Sequence, residues 1–227
     1  MEMKRLTERI WYYPFEEERD RPNLGYVRGD RWSLAVDAGH SEAHVEEFYA
    51  ALERQGLPLP ALTVLTHWHW DHAFGLHRIH GLSLANGATN RHLRDFRRRV
   101  EEEGPQAFLS LHESIRREYA GDRPIRIRTA DLEFENALTL DAGGCLVRVF
   151  RADAPHTDDS TLVDVPGQGV LFLGDAACDT FQDGIWDAEL ARRLHDAVLA
   201  AGPALCLEGH WTPVSAADIL KELAGEA

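Results

Sequence analysis

The sequence predicts a layered α/β fold in a single domain, residues 1–227. Apolar runs rich in β-branched residues recur along the chain at strand length, and segments with helix-capping residues lie between several of them. Residues with metal-binding side chains follow four of these runs, at the strand ends where α/β proteins place their sites. A chain of this length can bury a sizeable core without disulfides or structural metals.

The first third of the chain is predicted to alternate strands with helices. Gly29-Asp30 is a pair suited to a tight primed turn, so the strands on either side of it are predicted to form a hairpin. Ser41 is positioned to cap a helix with one apolar face, which Gly56 ends, and another helix is predicted to begin at Ala73. The predicted strands are 10–15, 25–28, 31–37, 61–66 and 82–85.

The segment 90–120 interrupts the strand pattern. Two helices are predicted there, 90–103 with Asn90 as its cap and 105–119, separated by Gly104-Pro105. We expect this helical insertion to form a lid or wall over the functional site. Its basic run at 91–99 is followed at once by three glutamates, which favours a solvated helix face over a binding patch.

Strand signals return at high density after the insertion and imply a meander. Pro-Gly-Gln-Gly at 166–169 is a turn pattern, so the strands that flank it are predicted to pair as a hairpin. Asp187 is predicted to cap a helix that runs to Ala201, and Ser215 to cap a closing helix. The predicted strands of this part are 125–128, 132–134, 137–140, 145–150, 161–165, 170–173 and 204–207.

Composition argues against several classes of function. The formal net charge is −14, and a general nucleic-acid binder needs a positive field to contact phosphate. Cys145, Cys178 and Cys206 are far apart and form no CxxC pair, which favours free thiols over a disulfide framework or a cysteine zinc site. The first residues lack the apolar core of a signal peptide, and no later segment has about 18 consecutive apolar residues. We therefore expect a cytoplasmic protein that does not enter membranes.

The densest group of metal-binding side chains is the segment HWHWDH at 67–72. Neutral imidazole nitrogens and carboxylate oxygens suit zinc and its first-row neighbours. Because side chains alternate in an extended segment, His67 and His69 can point to one metal while Asp71 and His72 turn to a second. One motif can therefore serve two metals.

His156, Asp175 and His210 each follow the end of a predicted strand. If these strands share one face of a layered fold, the three residues converge on HWHWDH. Taken singly, each has an alternative role as a turn-capping aspartate or a hydrogen-bonded histidine. Their common position favours a shared metal site.

These residues resemble those of the metallo-β-lactamase-fold hydrolases. The resemblance rests on the HxHxDH motif, here HWHWDH, and on the segments APHTDDS, LFLGDA and LEGH, which match the later ligand motifs in order and spacing. It covers nearly the whole chain, from the strand ending at Asp37 to His210. It implies a four-layer αββα sandwich, in which two mixed β-sheets pack face to face with helices outside.

The resemblance also implies the metal and its ligands. Two Zn²⁺ ions are expected, with Mn²⁺ or Fe²⁺ as alternatives. Asp37 is expected to accept a hydrogen bond from a ligating imidazole and so orient it, with turn capping as the alternative. The implied ligands are His67, His69 and His156 for the first metal, Asp71, His72 and His210 for the second, and Asp175 as the bridge.

Two features leave the substrate class open. At Asp158 and Asp159 many relatives carry a small residue or glycine, so the added negative charge is expected either to repel anionic substrates or to bind an ammonium group. Aromatic residues near the ligands in sequence are expected to pack in the core or at the rim of the site rather than to contact substrate. They are Trp68, Trp70, Phe181 and Trp186.

The expected activity is dinuclear metal-dependent hydrolysis of a small-molecule ester, thioester, lactone or lactam. Two cations about 3.5–4 Å apart lower the pKa of a bridging water toward ~7, so hydroxide can attack a polarised carbonyl without a side-chain base. Asp71 is additionally expected to carry a proton to the leaving group. Three alternatives stay open: a mononuclear iron persulfide dioxygenase, a non-catalytic ligand-binding module, and a phosphodiesterase, suggested by Arg91, Arg94 and Arg98 on one helix face.

Overall fold

The computed structural model describes residues 1–121, 123–181 and 184–225, and its framework is two mixed β-sheets. In the first sheet the strands lie side by side in chain order, antiparallel from β1 to β4 and parallel from β4 to β7. These strands are β1 Lys4–Arg5, β2 Ile10–Tyr13, β3 Leu24–Arg28, β4 Ser33–Val36, β5 Leu62–Val64, β6 Leu82–Asn86 and β7 Leu132–Phe134.

The second sheet has the order β13-β12-β11-β10-β9-β8. Its neighbours are antiparallel except β11 and β12, which run parallel because a helix connects them. Its strands are β8 Ala137–Asp141, β9 Leu146–Arg151, β10 Thr161–Val165, β11 Val170–Gly174, β12 Leu205–Glu208 and β13 Val214–Ser215.

The two sheets pack face to face through one shared apolar core. Val36 and Val64 of the first sheet belong to the same buried cluster as Val149, Val163 and Phe172 of the second. Successive side chains on a strand point to opposite faces, so each sheet also has an outer face to cover.

Helix α1 (Glu42–Arg54) covers the outer face of the first sheet, where Phe48 packs with Tyr26 of β3. Its cap is the predicted one, since the side chain of Ser41 accepts a hydrogen bond from the backbone N–H of His44.

Helices α6 (Ala188–Ala201) and α7 (Ala216–Leu223) cover the outer face of the second sheet, around Leu171 of β11. Asp187 and Ser215 cap them as predicted. With helices on both outer faces, the αββα sandwich expected from the sequence is confirmed.

The helical insertion starts earlier than predicted. Helix α3 spans Gly87–Glu103, and its cap is Asn86, whose side chain accepts a hydrogen bond from the N–H of Ala88. The prediction of Asn90 as the cap was wrong. Asn90 is buried one turn inside α3, where its amide bonds both the N–H and the carbonyl of Ala130.

The second helix predicted for the insertion is two short helices, α4 (Pro105–Leu109) and α5 (Glu113–Glu118). The chain turns between them at Ser110, whose hydroxyl donates to the carbonyl oxygen of Gln106 and thereby competes with continued helix. Phe108 of α4 packs in a cluster with residues of the 67–78 region, so the insertion forms a wall beside the motif.

A buried ion pair ties the insertion to the segment before β3. The guanidinium of Arg21 donates to both carboxylate oxygens of Glu118 at 2.8 and 2.9 Å, and both side chains are fully buried. The hydroxyl of Ser41 also donates to Glu118. Removing one partner of such a pair costs about 3–5 kcal/mol, so this contact fixes α5 in place.

One strand prediction after the insertion was wrong, and the predicted meander is shorter than expected. Residues 125–128 form no strand; Ile125 and Ile127 instead pack partly buried against the core of the insertion. The meander holds from β8 to β11, but β7 pairs with β6 in the first sheet. The chain therefore crosses between the sheets at 135–136.

The hairpin of β3 and β4 forms, but its turn is not the predicted one. Four residues, 29–32, connect the strands, and neither Gly29 nor Asp30 has the positive φ of a primed turn. The loop instead docks on the β8–β9 connection. A Cβ at Gly29 would collide with the carbonyl of Ala142 there, so glycine is needed for close approach rather than for its φ.

The structure also bears on the predictions about the cysteines and about membrane-spanning segments. Cys145 and Cys206 are buried free thiols, as predicted, whereas Cys178 is a half-buried one. Among residues 1–121, 123–181 and 184–225, no helix combines the length and the apolar character needed to cross a bilayer.

Candidate metal centre

The HWHWDH segment joins the end of β5 to helix α2 (Trp70–Ala73). The helix begins inside the motif, earlier than the helix predicted from Ala73. The first two histidines therefore precede the helix, while the aspartate and the last histidine lie on its only turn. This change of backbone conformation sends the two pairs of side chains to different points.

Three histidines form what we call the imidazole group: His67, His69 and His156. The Nε2 atoms of His67 and His156 each lie 3.0 Å from Nδ1 of His69. His156 comes from the loop after β9, 87 residues farther along the chain than His69. One nitrogen from each ring lies within 4.8 Å of the others, an arrangement that suits a zinc ion with an open fourth position.

Two aspartates and two histidines form the mixed group: Asp71, His72, Asp175 and His210. Oδ2 of Asp71 lies 2.9 Å from Nε2 of His210 and 3.2 Å from Nε2 of His72. Nε2 of His72 lies 3.4 Å from Oδ1 of Asp175. One ligand atom from each residue lies within 4.8 Å of all the others.

Asp175 belongs to the mixed group and also faces the imidazole group. Its Oδ2 atom is 3.6 Å from Nε2 of His210 in the mixed group and 3.8 Å from Nε2 of His156 in the imidazole group. Asp175 directly follows β11, and His210 lies just past the end of the neighbouring strand β12. The parallel pairing of these strands brings both residues to the same edge as the motif.

Several polar atoms in these groups lack a well-formed hydrogen bond among the described residues. Nε2 of His72 and Oδ1 of Asp175 are buried, and their contact with each other at 3.4 Å does not have hydrogen-bond geometry. Burying a polar atom that makes no hydrogen bond costs free energy of folding. The donor set of imidazole nitrogens and carboxylate oxygens therefore fits a pair of zinc-class cations.

The two groups differ in their electrostatics. Burial among other imidazoles lowers the pKa of His67 well below its ordinary value and that of His69 to about 3. Burial also acts against charge on His72 and His210, but the nearby carboxylates outweigh it. They raise the pKa of His72 well above its ordinary value and that of His210 to about 9. His67 and His69 are thus neutral, whereas the mixed group concentrates charge.

Asp37 orients the mixed group, in line with its expected placement. Its Oδ2 atom lies 2.8 Å from Nδ1 of His72, which directs Nε2 of that ring toward Asp71 and Asp175. Asp37 in turn accepts hydrogen bonds from the N–H and the hydroxyl of Thr66, at 2.7 and 3.0 Å. In the sequence Thr66 is recognisable only as a strand residue, although its position between strand and motif is a usable signal.

Two glycines let the backbone approach the site. A Cβ at Gly209 would collide with Oδ1 of Asp175 and lie 2.8 Å from Cε1 of His72. Gly174 has φ +55, and a Cβ there would collide with the side chain of Thr66. Neither glycine was recognised in the sequence as part of the site.

Aromatic side chains surround the imidazole group. The ring centroid of Phe181 lies 4.0 Å from that of His69, and Phe181 is 41% exposed. Trp68 packs edge-on against both Phe181 and His69. Trp70 is buried, as expected for a packing residue. Phe181 therefore forms the exposed rim over this group.

A pocket of about 560 Å³ is lined by Trp186, Trp211 and Glu208, and none of the candidate ligands is among its lining residues. Asp20 approaches His210, with its Oδ1 atom 3.8 Å from Nδ1 of that ring. Asp20 was missed in the sequence because it lies far from any motif, in an acidic loop without a local signal.

The extra negative charge expected after His156 is only partly available to a substrate. Asp159 is completely buried. Asp158 is exposed, but its Oδ1 atom pairs with Nε2 of His92 at 2.6 Å.

The basic residues of α3 are largely engaged with acidic neighbours. Arg98 pairs with Asp95 at 2.7 Å, and Arg94 lies 3.4 Å from Glu133. Arg91 and Arg94 line a polar pocket of about 630 Å³ that also contains Glu133. This arrangement agrees with the expected solvated face with compensating charge.

The comparisons with known proteins agree with this architecture. Residues 19–206 match the family model of the metallo-beta-lactamase superfamily. No curated protein matches the sequence.

The chain is similar in fold to solved metallo-beta-lactamases. The enzyme from Pontibacter korlensis is 16% identical, with a TM-score of 0.69 and 98% of each chain covered. DIM-1 metallo-beta-lactamase is 17% identical, with a TM-score of 0.69 over 100% of this chain and 99% of that one. The enzyme from Hirschia baltica is 17% identical, with a TM-score of 0.68 over 99% and 96%. By its family match and its fold, the chain belongs to the metallo-beta-lactamase superfamily.

Proposed function

We propose that this protein is a dinuclear metal-dependent hydrolase of a small-molecule ester, thioester, lactone or lactam. The observation that carries the proposal is that the imidazole group and the mixed group face each other across one carboxylate. Oδ2 of Asp175 lies 3.6 Å from His210 on one side and 3.8 Å from His156 on the other. A shared carboxylate is the arrangement expected of two cations that act on one substrate.

In this proposal the cations are zinc, with Mn²⁺ or Fe²⁺ as alternatives. Such a pair, when bound, polarises a substrate carbonyl and lowers the pKa of water toward ~7. The proposed ligands are His67, His69 and His156 for one cation, Asp71, His72 and His210 for the other, and Asp175 for both.

The surrounding residues hold these ligands in position through hydrogen bonds. Asp37 accepts the Nδ1 proton of His72, which keeps that ring in the tautomer with a free Nε2. Thr66 donates to Asp37 from both its backbone and its hydroxyl, so the carboxylate cannot rotate away.

Asp71 is proposed mainly as a ligand and secondarily as a proton carrier. Burial acts to raise its pKa, but His72 and His210 outweigh burial and hold it well below its ordinary value. A carboxylate of such low basicity holds a proton only briefly. Its Oδ2 atom, 2.9 Å from His210, would take a proton from the attacking water and pass it to a leaving group that departs beside it.

The surroundings of the site favour a small uncharged or cationic substrate. The net charge of the chain is −14, which disfavours anionic substrates. Phe181 offers an apolar surface over the imidazole group for the acyl part of a substrate. These features disfavour nucleic acid as a substrate.

The test is metal analysis of the purified protein combined with a panel of activated esters, thioesters, lactones and lactams. We expect nearly two metal ions per chain at the central site and hydrolysis that a chelator abolishes and zinc restores. Asp175→Ala should lower kcat/KM by at least about 10²-fold, since even partners outside the ligand set typically contribute 10- to 100-fold. Asp141→Ala, at an exposed position of β8, is the matched control and should leave activity unchanged.

A fully metal-loaded protein that hydrolyses nothing on the panel would contradict the proposal. Iron in place of zinc, together with oxygen consumption in the presence of a persulfide, would replace it with the dioxygenase alternative.

A further inference from the structure

A separate cluster of ligating side chains lies between α3 and the loop after β9. It consists of His92, Asp158 and Asp159, and one ligand atom from each lies within 4.8 Å of the others. Nε2 of His92 and Oδ1 of Asp158 are only 2.6 Å apart. No residue of this cluster belongs to the imidazole group or the mixed group.

Asp159 is the unusual member. Its side chain is completely buried, and neither carboxylate oxygen has a hydrogen-bond partner among the described residues. Burial raises its pKa, while the hydroxyls of Thr157 and Thr89 and the ring of His92 act in the opposite direction. A buried carboxylate with only two hydroxyls and an imidazole nearby is costly in its ionised form, and a bound cation would offset that cost.

The other two members give access from solvent. The side chains of His92 and Asp158 are 35% and 67% exposed. Two of the nearby arginines have acidic or backbone partners: Arg94 lies 3.4 Å from Glu133, and Arg151 donates to the backbone oxygen of Asp158. An incoming cation therefore meets two carboxylates and an imidazole, with Arg91 as a further cationic neighbour along the same pocket.

We propose that His92, Asp158 and Asp159 bind a third divalent cation, of the zinc class. One imidazole nitrogen and two carboxylate oxygens are borderline-to-hard donors, which suit Zn²⁺ and leave coordination positions for water. The side chain of Asp159 supplies the buried anchor, and the two exposed residues close the site from outside.

Such a cation would tie α3 to the loop that carries His156. Asp158 is two residues from His156 in sequence, and the ring of His92 lies over Trp68 with centroids 5.5 Å apart. Trp68 in turn packs against His69 at 4.6 Å. The third site thus supports the imidazole group from behind, by packing and chain connection rather than by contact with substrate.

The first test is zinc binding alone, measured by equilibrium dialysis of the metal-free protein in a buffer of defined free Zn²⁺. Wild type should bind three ions per chain, and Asp159→Asn should bind two. Asp153→Asn is the matched control, because Asp153 is an exposed loop carboxylate paired with Arg193, and it should bind three. Equal saturation of wild type and Asp159→Asn would overturn the proposal. His92→Gln, at a half-exposed position, should lose the same single ion. It replaces Asp159→Asn as the test variant if Asp159→Asn does not fold.

The second test is thermal unfolding with and without zinc. In chelator, Asp159→Asn should melt no lower than wild type, because an amide costs less to bury than an unpartnered carboxylate. Added zinc should then raise the melting temperature of wild type by more than that of the variant, since wild type binds one more ion in its folded state. Equal zinc-induced shifts would overturn the proposal. Because both proteins keep the central ligands, failure of the central site would lower both ion counts and leave their difference unchanged.

Discussion

The imidazole group and the mixed group lie side by side but differ in chemistry. His67 and His69 are held neutral, with pKa values lowered by burial among other imidazoles. In the mixed group, carboxylates raise the pKa of His72 and His210 and are themselves kept ionised. One stretch of six residues therefore contributes two ligands to each of two groups that differ in their electrostatic character.

The two groups also differ in how they are supported. The mixed group has a dedicated acceptor, Asp37, behind His72. The imidazole group is instead backed by aromatic rings, with Phe181 and Trp68 against His69. We therefore expect the mixed group to depend on hydrogen bonding and the imidazole group on packing.

The largest effect should come from removing one ligand of each group. His69→Ala should lose the cation of the imidazole group and retain the other, whereas His210→Ala should do the reverse. Each should lower kcat/KM by at least about 10²-fold. Metal content per chain and hydrolysis rates of both variants are the measurement. Loss of both cations in either variant would show that the two groups bind their cations as one unit and would contradict the difference between them.

A smaller effect is expected from Asp37→Asn. Asparagine tolerates the positive φ of 67° at this position, so the backbone is preserved. The amide cannot hold the Nδ1–H of His72 as a carboxylate does, and the affinity of the mixed group for its cation should fall by about 10- to 100-fold. Chelator titration of the two cations separates the groups. An equal loss at the imidazole group would contradict the division of support described above.

The smallest effect is expected from Phe181→Ala. Its exposed ring should contribute apolar contact to the acyl part of a substrate, so KM should rise by about two- to fivefold while metal content stays the same. The control is Leu199→Ala, which removes an apolar side chain on α6 that is 60% exposed, against 41% for Phe181. A change in metal content would show that Phe181 supports His69 instead.

The sequence was sufficient for the parts of the protein that local chemistry dictates. Ser41, Asp187 and Ser215 cap the helices they were predicted to cap, because an N-cap acts on a backbone only two or three residues away. The αββα architecture and the convergence of the motif residues on one sheet edge also followed from strand ends and family motifs.

The parts that depended on distant contacts could not be predicted. Asn86 and Asn90 are equally good caps in sequence, and only the contact of Asn90 with Ala130 decides between them. The run 125–128 has strand composition but packs on the insertion instead. The sequence predicts that Asp159 presents negative charge to a substrate, although the fold buries its side chain completely.

Gly209 shows how a residue without a functional group can be as restricted as a metal ligand. Any L-amino acid there would place its first carbon against Asp175 and His72 at once. In a library that varies every position near the cleft, we expect position 209 to return only its original residue. The reason is that the backbone at position 209 packs directly against the side chains of Asp175 and His72.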